Sequence, residues 1–452
     1  MKVVNIMVDN ICAIATPYGV GAISIIRCSG PMAIELVNKI FKGKDLTKVK
    51  SHTIHHGYIM DNGEIVDGVL CNVYIAPRSF DGENMVEINC HGGVYVTNLV
   101  LQILLKNGFR LAERGEFSKR AFLNKKLDLT QAESIMDVIS STNRLALKGS
   151  QSSLRKSTYN LINKFRDKLL DIIAKIEVNI DYPEYDDAIV VTNEYLEPVI
   201  SEMILDMKEI LKNSEISTIA IHGIKTCIVG KPNVGKSSLL NTLLDEEKAI
   251  VSSVAGTTRD MVEGSINLGN VTLHLIDTAG IHESNDLVES IGIKKSAKAI
   301  EEADLIFLVL DSSEELSNED NELLKLTENK KRIIIANKID LEPKWNIDGA
   351  IYISTKNKEG LKELEERILE ITNINTFESL DGNYLNNTRQ IDLMRKAYDS
   401  LISAKESCDL NNDVDLIEID IRSAFDYLGE ITGEASPDEL ITALFTKFCL
   451  GK

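Results

Sequence analysis

The segment that most constrains the fold is Gly230-Lys-Pro-Asn-Val-Gly-Lys-Ser237, which fits the pattern G-x-x-x-x-G-K-S. It follows the apolar run Thr226–Val229 and precedes the helix-forming run Ser238–Leu244, which is the context that a phosphate-binding loop requires. Its glycines let backbone N–H groups surround phosphates, and the following helix adds its dipole. We therefore expect a doubly wound α/β domain, with Lys236 at the β- and γ-phosphates of a nucleotide and the Ser237 hydroxyl on Mg²⁺.

Three later motifs predict that the nucleotide carries guanine. In Asp277-Thr-Ala-Gly280, the carboxylate can support the magnesium shell and the last N–H can meet the γ-phosphate. In Asn337-Lys-Ile-Asp340, the carboxylate can accept hydrogen bonds from guanine N1–H and the 2-amino group, a pair of donors that adenine lacks. Ser354-Thr-Lys356 ends the next strand-like run and can support the base. Because ligands bind at the carboxyl ends of parallel strands, the order of these motifs indicates a GTP site.

The predicted GTP contacts lie on these loops and on the segment that joins the first two. They are Asn233, Val234, Gly235, Lys236, Ser237, Ser238, Ser252, Ser253, Val254, Ala255, Gly256, Thr257, Thr258, Asp277, Thr278, Ala279, Gly280, Asn337, Lys338, Asp340, Ser354, Thr355 and Lys356.

Helical segments flank the α/β segment on both sides. Between Ala121 and Lys212, apolar residues recur at three- and four-residue spacing, and a second helical segment runs from about Thr388 to the end. The earlier residues alternate short β-like runs with glycine-containing turns, which is typical of an α+β unit. The fold class is therefore multidomain α/β plus α. We predict an N-terminal α+β domain (1–121), a discontinuous helical domain (122–222 and 377–452) and an inserted G domain with a mostly parallel sheet (223–376).

The composition narrows the functional classes. The 452 residues contain 50 Lys and Arg against 69 Asp and Glu, and the net charge of −19 argues against a nucleic-acid binder held mainly by phosphate contacts. Residues 1–121 contain 13 basic and 11 acidic side chains, so the excess acid lies after them. The seven cysteines form no CxxC pair, no apolar run approaches the ~18 residues of a transmembrane helix, and Met1–Asn10 lacks the apolar core of a signal peptide. We expect free thiols and a cytoplasmic protein.

The residues that would promote hydrolysis are harder to identify from the sequence than those that would bind the nucleotide. Many small GTPases carry a water-orienting glutamine after the second motif, but Ile281 stands there in this chain. Carbonyl and hydroxyl groups of the loop 252–260, together with Asn233, could bind a monovalent cation whose charge acts like an arginine finger. The competing candidate for that positive charge is Arg259. Two later carboxylates could position water, although such residues are more often solvated surface charges: Glu283 and Glu289.

With these motifs in place, the chain resembles the MnmE (TrmE) family of tRNA-modification GTPases nearly end to end. The resemblance includes the inserted G domain and a set of short segments spread over the chain. They are His91-Gly-Gly93, Gly115-Glu-Phe-Ser-Lys-Arg-Ala-Phe-Leu-Asn124, Lys126-Leu-Asp-Leu129, Ala255-Gly-Thr-Thr-Arg-Asp260 and the C-terminal Phe448-Cys-Leu-Gly-Lys452. This combination is specific, whereas the phosphate-binding loop alone would indicate only some NTPase.

The resemblance implies roles in hydrolysis. Members of this family hydrolyse GTP with potassium and dimerise through their G domains. The implied potassium ligands are Asn233, Ser252, Val254 and Thr257, and the implied magnesium ligands are Ser237 and Thr258. The implied catalytic residues are Glu289, which would position water and is thereby favoured over Glu283, Lys236 and the C-terminal Cys449. A half-buried structural thiol is the alternative role of Cys449.

The resemblance also implies a folate site in the N-terminal domain, for 5,10-methylenetetrahydrofolate or 5-formyltetrahydrofolate. The matching positions are Arg27, Glu87, Lys126 and Lys452. A carboxylate can pair with the amino edge of the pterin, and cations suit the glutamyl tail of a folate. From the residues alone, Arg27 and Lys126 would be surface charges.

The function that the resemblance implies is a potassium-dependent GTPase that acts on tRNA as a homodimer, without a membrane. With the FAD-dependent partner MnmG (GidA), it would add a carboxymethylaminomethyl or aminomethyl group at C5 of the wobble uridine. Two alternatives stay open. One is a regulatory or ribosome-assembly GTPase with a ligand-binding N-terminal domain, and the other is a folate-dependent one-carbon transferase that turns over without GTP.

Overall fold

The computed structural model describes residues 9–181, 191–245, 262–268, 271–276, 299–448 and 451. The chain divides into two compact units, Met1–Met136 with Gly429–Lys452 and Asp137–Leu428. The limits of the three domains given above stay a prediction. None of the helices in the described ranges combines the length and apolar character that a membrane crossing requires.

The first unit is built on a seven-stranded sheet with the order β3-β4-β5-β6-β2-β1-β7. Neighbouring strands run antiparallel, except that β1 and β7 are parallel. The strands are β1 (Ile11–Ile14), β2 (Ile23–Ser29), β3 (Phe41–Gly43), β4 (Thr53–Asp61), β5 (Glu64–Tyr74), β6 (Met85–His91) and β7 (Arg110–Leu111).

Side chains of β2 and β6 alternate between the core and the opposite face of this sheet. Ile26, Cys28 and Ile88 are fully buried in the core. Arg27 and Glu87 are register partners on the opposite face, because successive residues of a strand point to opposite sides. The sheet therefore places this cation and this carboxylate directly across from each other.

Helices cover the core face of the sheet. Helix Ala33–Ile40 buries Ala33, Ile34, Leu36, Val37 and Ile40, whose three- and four-residue spacing forms one apolar stripe. The other helices that begin in this unit are Val94–Lys106, Glu116–Leu123, Leu129–Ser140 and Asp438–Phe445, and Leu46–Lys48 forms a 3₁₀ turn.

In the second unit, helices from both sides of the α/β segment pack together. Helix Asn193–His222 precedes that segment in the chain and helix Thr388–Asp409 follows it, yet the two lie against each other. Each buries an apolar stripe at helical spacing, including Ile200, Met203 and Met207 on the first helix. The α/β segment is therefore inserted into a helical one, as predicted. The other helices here are Arg144–Leu154, Ser157–Asp181 and Val414–Thr432, with a 3₁₀ segment at Ile374–Leu380.

The inserted segment contains a six-stranded sheet with the order β13-β12-β11-β8-β10-β9. Its strands are β8 (Ile224–Val229), β9 (Val262–Leu268), β10 (Val271–Ile276), β11 (Leu305–Asp311), β12 (Arg332–Asn337) and β13 (Ile351–Tyr352). All pairs are parallel except β9–β10. Helices of this segment within the described ranges include Lys236–Asp245, Asn318–Leu326 and Leu361–Thr372.

The central strand β11 is buried on both faces. Leu305, Phe307 and Val309 belong to one apolar cluster and Ile306 and Leu308 to another. Such double burial is characteristic of a parallel sheet with helices on both sides. The predicted fold class is confirmed, and the antiparallel edge strand β9 is an addition that the sequence analysis missed.

Candidate functional site

Residues with positive φ shape the loop between β8 and helix Lys236–Asp245. Gly230 has φ 155°, and a Cβ there would lie 2.3 Å from the carbonyl oxygen of Val309. Gly235 has φ 101°, and its Cβ would lie 2.1 Å from Nδ2 of Asn337. Asn233 also has a positive φ, of 66°. Glycine is required where the backbone is both left-handed and this close to a neighbour, so the glycines of the motif allow the loop to pack against the sheet.

The side chain of Lys236 crosses its own loop. Its Nζ donates hydrogen bonds to the carbonyl oxygens of Gly230 (2.7 Å) and Lys231 (2.8 Å). Burial of the ammonium group lowers the pKa of Lys236. A buried cation whose hydrogen-bond acceptors are neutral carbonyls favours an anion nearby, and the phosphates of a nucleotide would supply it.

Asn337 connects three of the predicted motifs. Its Nδ2 donates to the carbonyl oxygen of Val234 in the phosphate-binding loop (2.9 Å), and its Oδ1 accepts from the backbone N–H of Thr355 (3.2 Å). The side chain is buried, as is Val234. The structure therefore brings the phosphate-binding loop, the end of β12 and the segment 354–356 to one edge of the sheet.

Asp340 is held as an ionised acceptor at the same edge. The hydroxyl of Ser354 donates to its Oδ1 (2.9 Å), and Nζ of Lys356 lies 3.6 Å from its Oδ2. The hydrogen bond from Ser354 is the main reason that the pKa of Asp340 is below its usual value. An ionised carboxylate can accept both donors of a guanine edge.

Lys338 is fixed by a carboxylate that the sequence analysis missed. Its Nζ lies 2.6 Å from Oδ2 of Asp311, the last residue of β11. Oδ1 of Asp311 accepts from the backbone N–H (2.9 Å) and the hydroxyl (2.6 Å) of Ser313. Burial opposes ionisation of Asp311, but these donors keep its pKa below the usual value. The end of a strand is the only sequence signal that could have drawn attention to this aspartate.

Many predicted nucleotide residues lie outside the described ranges, so their positions stay predictions. They are Ser252, Ser253, Val254, Ala255, Gly256, Thr257, Thr258, Asp277, Thr278, Ala279 and Gly280, with the hydrolysis candidates Arg259, Ile281, Glu283 and Glu289. Ser237 and Ser238 lie in the first turn of helix Lys236–Asp245.

The edge hairpin β9–β10 is hydrogen-bonded to residues that precede helix Arg144–Leu154. The hydroxyl of Thr272 lies 2.8 Å from the hydroxyl of Thr142 and accepts from Nδ2 of Asn143 (3.0 Å). Asn267 donates to the carbonyl oxygen of Thr142 (3.1 Å). This hairpin follows the predicted cation-binding loop and precedes the predicted Asp277 motif, so it links both to the helical segment.

In the first unit, Arg27 and Glu87 form an ion pair at the predicted folate positions. Nε and Nη2 of Arg27 donate to Oε1 of Glu87 (3.1 and 2.9 Å), and both side chains are only 15–16% exposed. The guanidinium lies over two aromatic rings, 5.2 Å from the centre of Phe80 and 5.6 Å from that of Phe117. The hydroxyl of Tyr74 donates to Oε2 of Glu87 at 3.5 Å. These groups form a partly desolvated site with aromatic walls.

The C-terminal segment reaches this pair. Nη1 of Arg27 donates to the carbonyl oxygen of Gly451 (3.3 Å). Gly451 has φ 87°, and a Cβ there would lie 2.5 Å from the carbonyl oxygen of Ile14, so glycine allows the close approach. Cys449 and Lys452, the neighbours for which roles are implied, lie outside the described residues.

Lys126 contacts the loop between β5 and β6, which carries Phe80. Its Nζ donates to the carbonyl oxygen of Pro77 (3.0 Å). In the same loop, the buried Asp81 accepts from the hydroxyl of Ser29 on β2. The three described folate candidates therefore lie on β2, on β6 and against the loop between β5 and β6. The aromatic residues were missed because nothing in the local sequence marks a ring that packs under a distant arginine.

The motif Gly115–Asn124 has a structural explanation. Gly115 has φ 69°, and a Cβ there would lie 2.3 Å from the carbonyl oxygen of Phe445. Glu116 accepts from Arg110 (2.6 Å) and Arg120 (3.0 Å), and these contacts keep the pKa of Glu116 low although its burial acts in the opposite direction. The motif thus fixes Phe117 beneath Arg27 and joins the C-terminal helix to the sheet.

The sheet order and the motifs at its carboxyl edge define a guanine-nucleotide-binding P-loop domain inserted into a larger chain. Family models described as the MnmE helical domain and as the N-terminus of the GTP-binding protein TrmE match residues 129–449 and 10–126. The tRNA modification GTPase MnmE of Acholeplasma laidlawii is 51% identical, and that of Streptococcus thermophilus is 48% identical; each match covers 98% of this chain, and 99% and 98% of the relatives. The chain belongs to the MnmE (TrmE) family of tRNA modification GTPases. The predicted family and the predicted GTP hydrolase activity are confirmed.

Two solved structures are similar to parts of the chain. Era in complex with MgGDPNP and a segment of 16S ribosomal RNA is 34% identical over 33% of this chain and 56% of its own length, with a TM-score of 0.26. The G domain of the FeoB iron transporter of T. maritima is 29% identical over 33% of this chain and 98% of its own length, with a TM-score of 0.24.

Proposed function

We propose that the protein is a potassium-dependent GTPase which, with the FAD-dependent partner MnmG, adds a carboxymethylaminomethyl or aminomethyl group at C5 of the wobble uridine of tRNA. The observation that carries this proposal is that one chain contains both a guanine-nucleotide edge, formed by the loop 230–237, Asn337, Asp340 and Ser354, and a separate unit that holds the Arg27–Glu87 site. Near full-length similarity to tRNA modification GTPases supports the choice of substrate.

The described residues fit the binding of GTP. Backbone N–H groups of the loop 230–237 and the start of the following helix would surround the phosphates, and Lys236 would turn from its loop carbonyls to the β- and γ-phosphates. Asp340, fixed by Ser354, would accept the two guanine donors. Asn337 would keep the phosphate and base loops in register, because it bonds to both.

The cations of hydrolysis have part of their ligand set among the described residues. Ser237, at the start of helix Lys236–Asp245, would bind Mg²⁺ together with Thr258. Asn233 would bind K⁺ together with groups of the loop 252–257, and its left-handed backbone belongs to the loop that surrounds the phosphates. Such cations neutralise charge that develops on the phosphates. Glu289 would position the attacking water.

The first unit fits a folate with a one-carbon substituent. The carboxylate of Glu87, oriented by Arg27, would pair with the amino edge of the pterin, and Lys126 and Lys452 would bind carboxylates of the glutamyl tail. The rings of Phe80 and Phe117 provide an apolar wall beside these charges. Because Gly451 bonds to Arg27, the neighbouring Cys449 is a candidate nucleophile at this site. The one-carbon unit would supply the methylene that becomes attached to the base.

We further propose that the protein works in the cytoplasm as a homodimer whose G domains associate in the GTP state. The hydrogen-bonded attachment of the β9–β10 hairpin to Thr142 and Asn143 offers a route from the nucleotide to the helical segment. A Glu289→Gln variant that binds GTP without hydrolysing it should leave tRNA incompletely modified. Full modification by this variant would contradict the coupling.

Two measurements separate this proposal from its alternatives. GTP hydrolysis in KCl should exceed hydrolysis in NaCl of the same ionic strength, and equal rates would contradict the potassium mechanism. Calorimetric titration should detect 5-formyltetrahydrofolate binding. Absence of that binding would favour a regulatory or ribosome-assembly GTPase, and one-carbon transfer without GTP would favour a folate-dependent transferase.

A further inference from the structure

The positive charge of the second unit is concentrated in one stretch. The first unit contains 17 basic and 17 acidic side chains, so the second carries the whole net charge of −19. Within the second unit, residues 144–168 contain seven basic side chains and one acidic side chain. The rest of the unit contains 26 basic and 51 acidic side chains. A segment of charge +6 therefore lies in a unit that is otherwise strongly negative.

This segment folds into helix Arg144–Leu154, a short turn and the first half of helix Ser157–Asp181. Leu145, Ile162 and Leu169 are among the apolar residues that these helices bury. Six of the seven basic side chains are exposed, and we call them the basic surface: Arg144, Lys148, Arg155, Lys156, Lys164 and Lys168. Arg144 and Lys148 on the first helix are four residues apart, as are Lys164 and Lys168 on the second, which places each pair on one side of its helix.

Among the residues that the structure describes, few partners neutralise the charge of the basic surface. Lys148 and Lys168 form exposed ion pairs with Glu378 (3.0 Å) and Glu202 (2.9 Å), and exposed pairs of this kind contribute little. Among the described residues, Arg144, Arg155 and Lys164 form no ion pair. Lys156 lies 5.2 Å from the centre of the Tyr159 ring, a contact that leaves its charge uncompensated.

One of these cations also opposes a helix dipole. Arg144 occupies the first position of helix Arg144–Leu154, which has no acidic residue in its first turn. Arg155 and Lys156 lie between the C-terminus of that helix and the N-terminus of the next, so the two dipoles act on them in opposite directions. Cations near a helix N-terminus are unfavourable, because the N–H groups there already carry partial positive charge. A bound anion would offset this cost.

We propose that the basic surface docks the phosphate backbone of tRNA. The inference rests on the proposed function, which makes tRNA the substrate. The cations are distributed along a helix of about 16 Å and around the following turn, and they do not converge on a pocket. Such an extended arrangement fits a nucleic-acid backbone, which carries one phosphate per nucleotide. The surrounding acid would repel tRNA, so the basic surface sets where it can approach. The overall charge of −19 is therefore compatible with a nucleic-acid substrate.

The test compares two triple variants of the full chain with the same change in charge. The first is Arg155→Gln, Lys156→Gln and Lys164→Gln. The matched control replaces three exposed lysines elsewhere in the second unit: Lys208→Gln, Lys212→Gln and Lys362→Gln. The probe is total tRNA purified from cells that lack the protein, and binding is measured by fluorescence anisotropy at several KCl concentrations.

The first variant should bind tRNA at least about tenfold more weakly than the control, with a salt slope that is smaller by about 2 to 3, because each lost phosphate contact removes about 0.7 to 0.9. GTP hydrolysis without tRNA should not change, which shows that the variant is folded. Equal tRNA affinities of the two triple variants would overturn the inference. If the first triple variant still binds tRNA but no longer binds a protein partner, the inference is also overturned. The basic surface would then bind an acidic protein surface.

Failure of the proposed function has a different signature. In that case the unsubstituted protein would neither bind this tRNA nor restore its wobble-uridine modification in the cells that lack it. If the unsubstituted protein does both and the first triple variant behaves like the control, only the docking inference fails.

Discussion

Replacement of Asn337 by alanine should uncouple the phosphate-binding loop from the segment 354–356, which supports the base. The substitution removes the bond to the Val234 carbonyl (2.9 Å) and the bond from the Thr355 N–H (3.2 Å). Asn337 is 1% exposed, so water cannot readily replace these bonds. Leaving a buried polar group without its partner costs about 1–3 kcal/mol. We therefore expect the substitution to destabilise the nucleotide-binding arrangement of the loops by about 2–4 kcal/mol in total.

Because 1.4 kcal/mol corresponds to a tenfold change in affinity, GDP binding should weaken by about 30-fold to several hundredfold. The assay is a fluorescence titration with a labelled GDP analogue, with chemical denaturation to report stability. Asn357→Ala is the matched control, since its exposed side chain makes a single hydrogen bond to the described residues, a 3.5 Å contact with Glu359. A change in GDP affinity of less than threefold, with unchanged stability, would refute the role given to Asn337.

Three further predictions each concern the replacement of one side chain. Asp340→Asn should weaken GTP binding and improve binding of xanthosine triphosphate, because an amide can donate to the second carbonyl of xanthine; competition titrations measure the exchange. Asp311→Asn should lower the free energy of unfolding by about 2 kcal/mol at pH 7, since charged hydrogen bonds from Lys338 and Ser313 are lost. The pKa of Asp311 is lowered in the folded protein, so the difference in free energy of unfolding between the two proteins should be largest above about pH 4 and should shrink as the pH falls further. Denaturation at several pH values measures this difference. Arg27→Ala should abolish calorimetric binding of 5-formyltetrahydrofolate with GTP hydrolysis unchanged, and retained folate binding would remove Arg27 from the site.

Much of the G-domain sheet could be predicted because its signals are local. Apolar runs at 226–229, 273–276, 305–310 and 332–336 are all strands, since a parallel strand buried on both faces needs a continuous apolar sequence. The strand β9 was missed because Ser265 and Asn267 interrupt its apolar residues, so the strand has no continuous apolar run. The loop 230–237 was recognisable because glycine is required at two close backbone approaches.

The contacts within the sites were less predictable, because they depend on residues that are distant in sequence. Arg27 meets Glu87 through strand register and meets Phe80 and Phe117 through the packing of a loop and a helix. The dual bonding of Asn337 likewise depends on three loops that end at the same edge. Only the family resemblance singled out Arg27 and Glu87, and it did not name the aromatic rings.

Nucleoside analysis of tRNA is the decisive experiment for the proposed modification of the wobble uridine. Mass spectrometry would compare digested tRNA from cells that lack the protein with tRNA from the same cells supplied with the full chain or with its Lys236→Ala variant. We expect loss of the C5-aminomethyl-type wobble uridines in the cells that lack the protein, their return with the full chain, and no return with the variant. An unchanged nucleoside profile in cells that lack the protein would contradict the account.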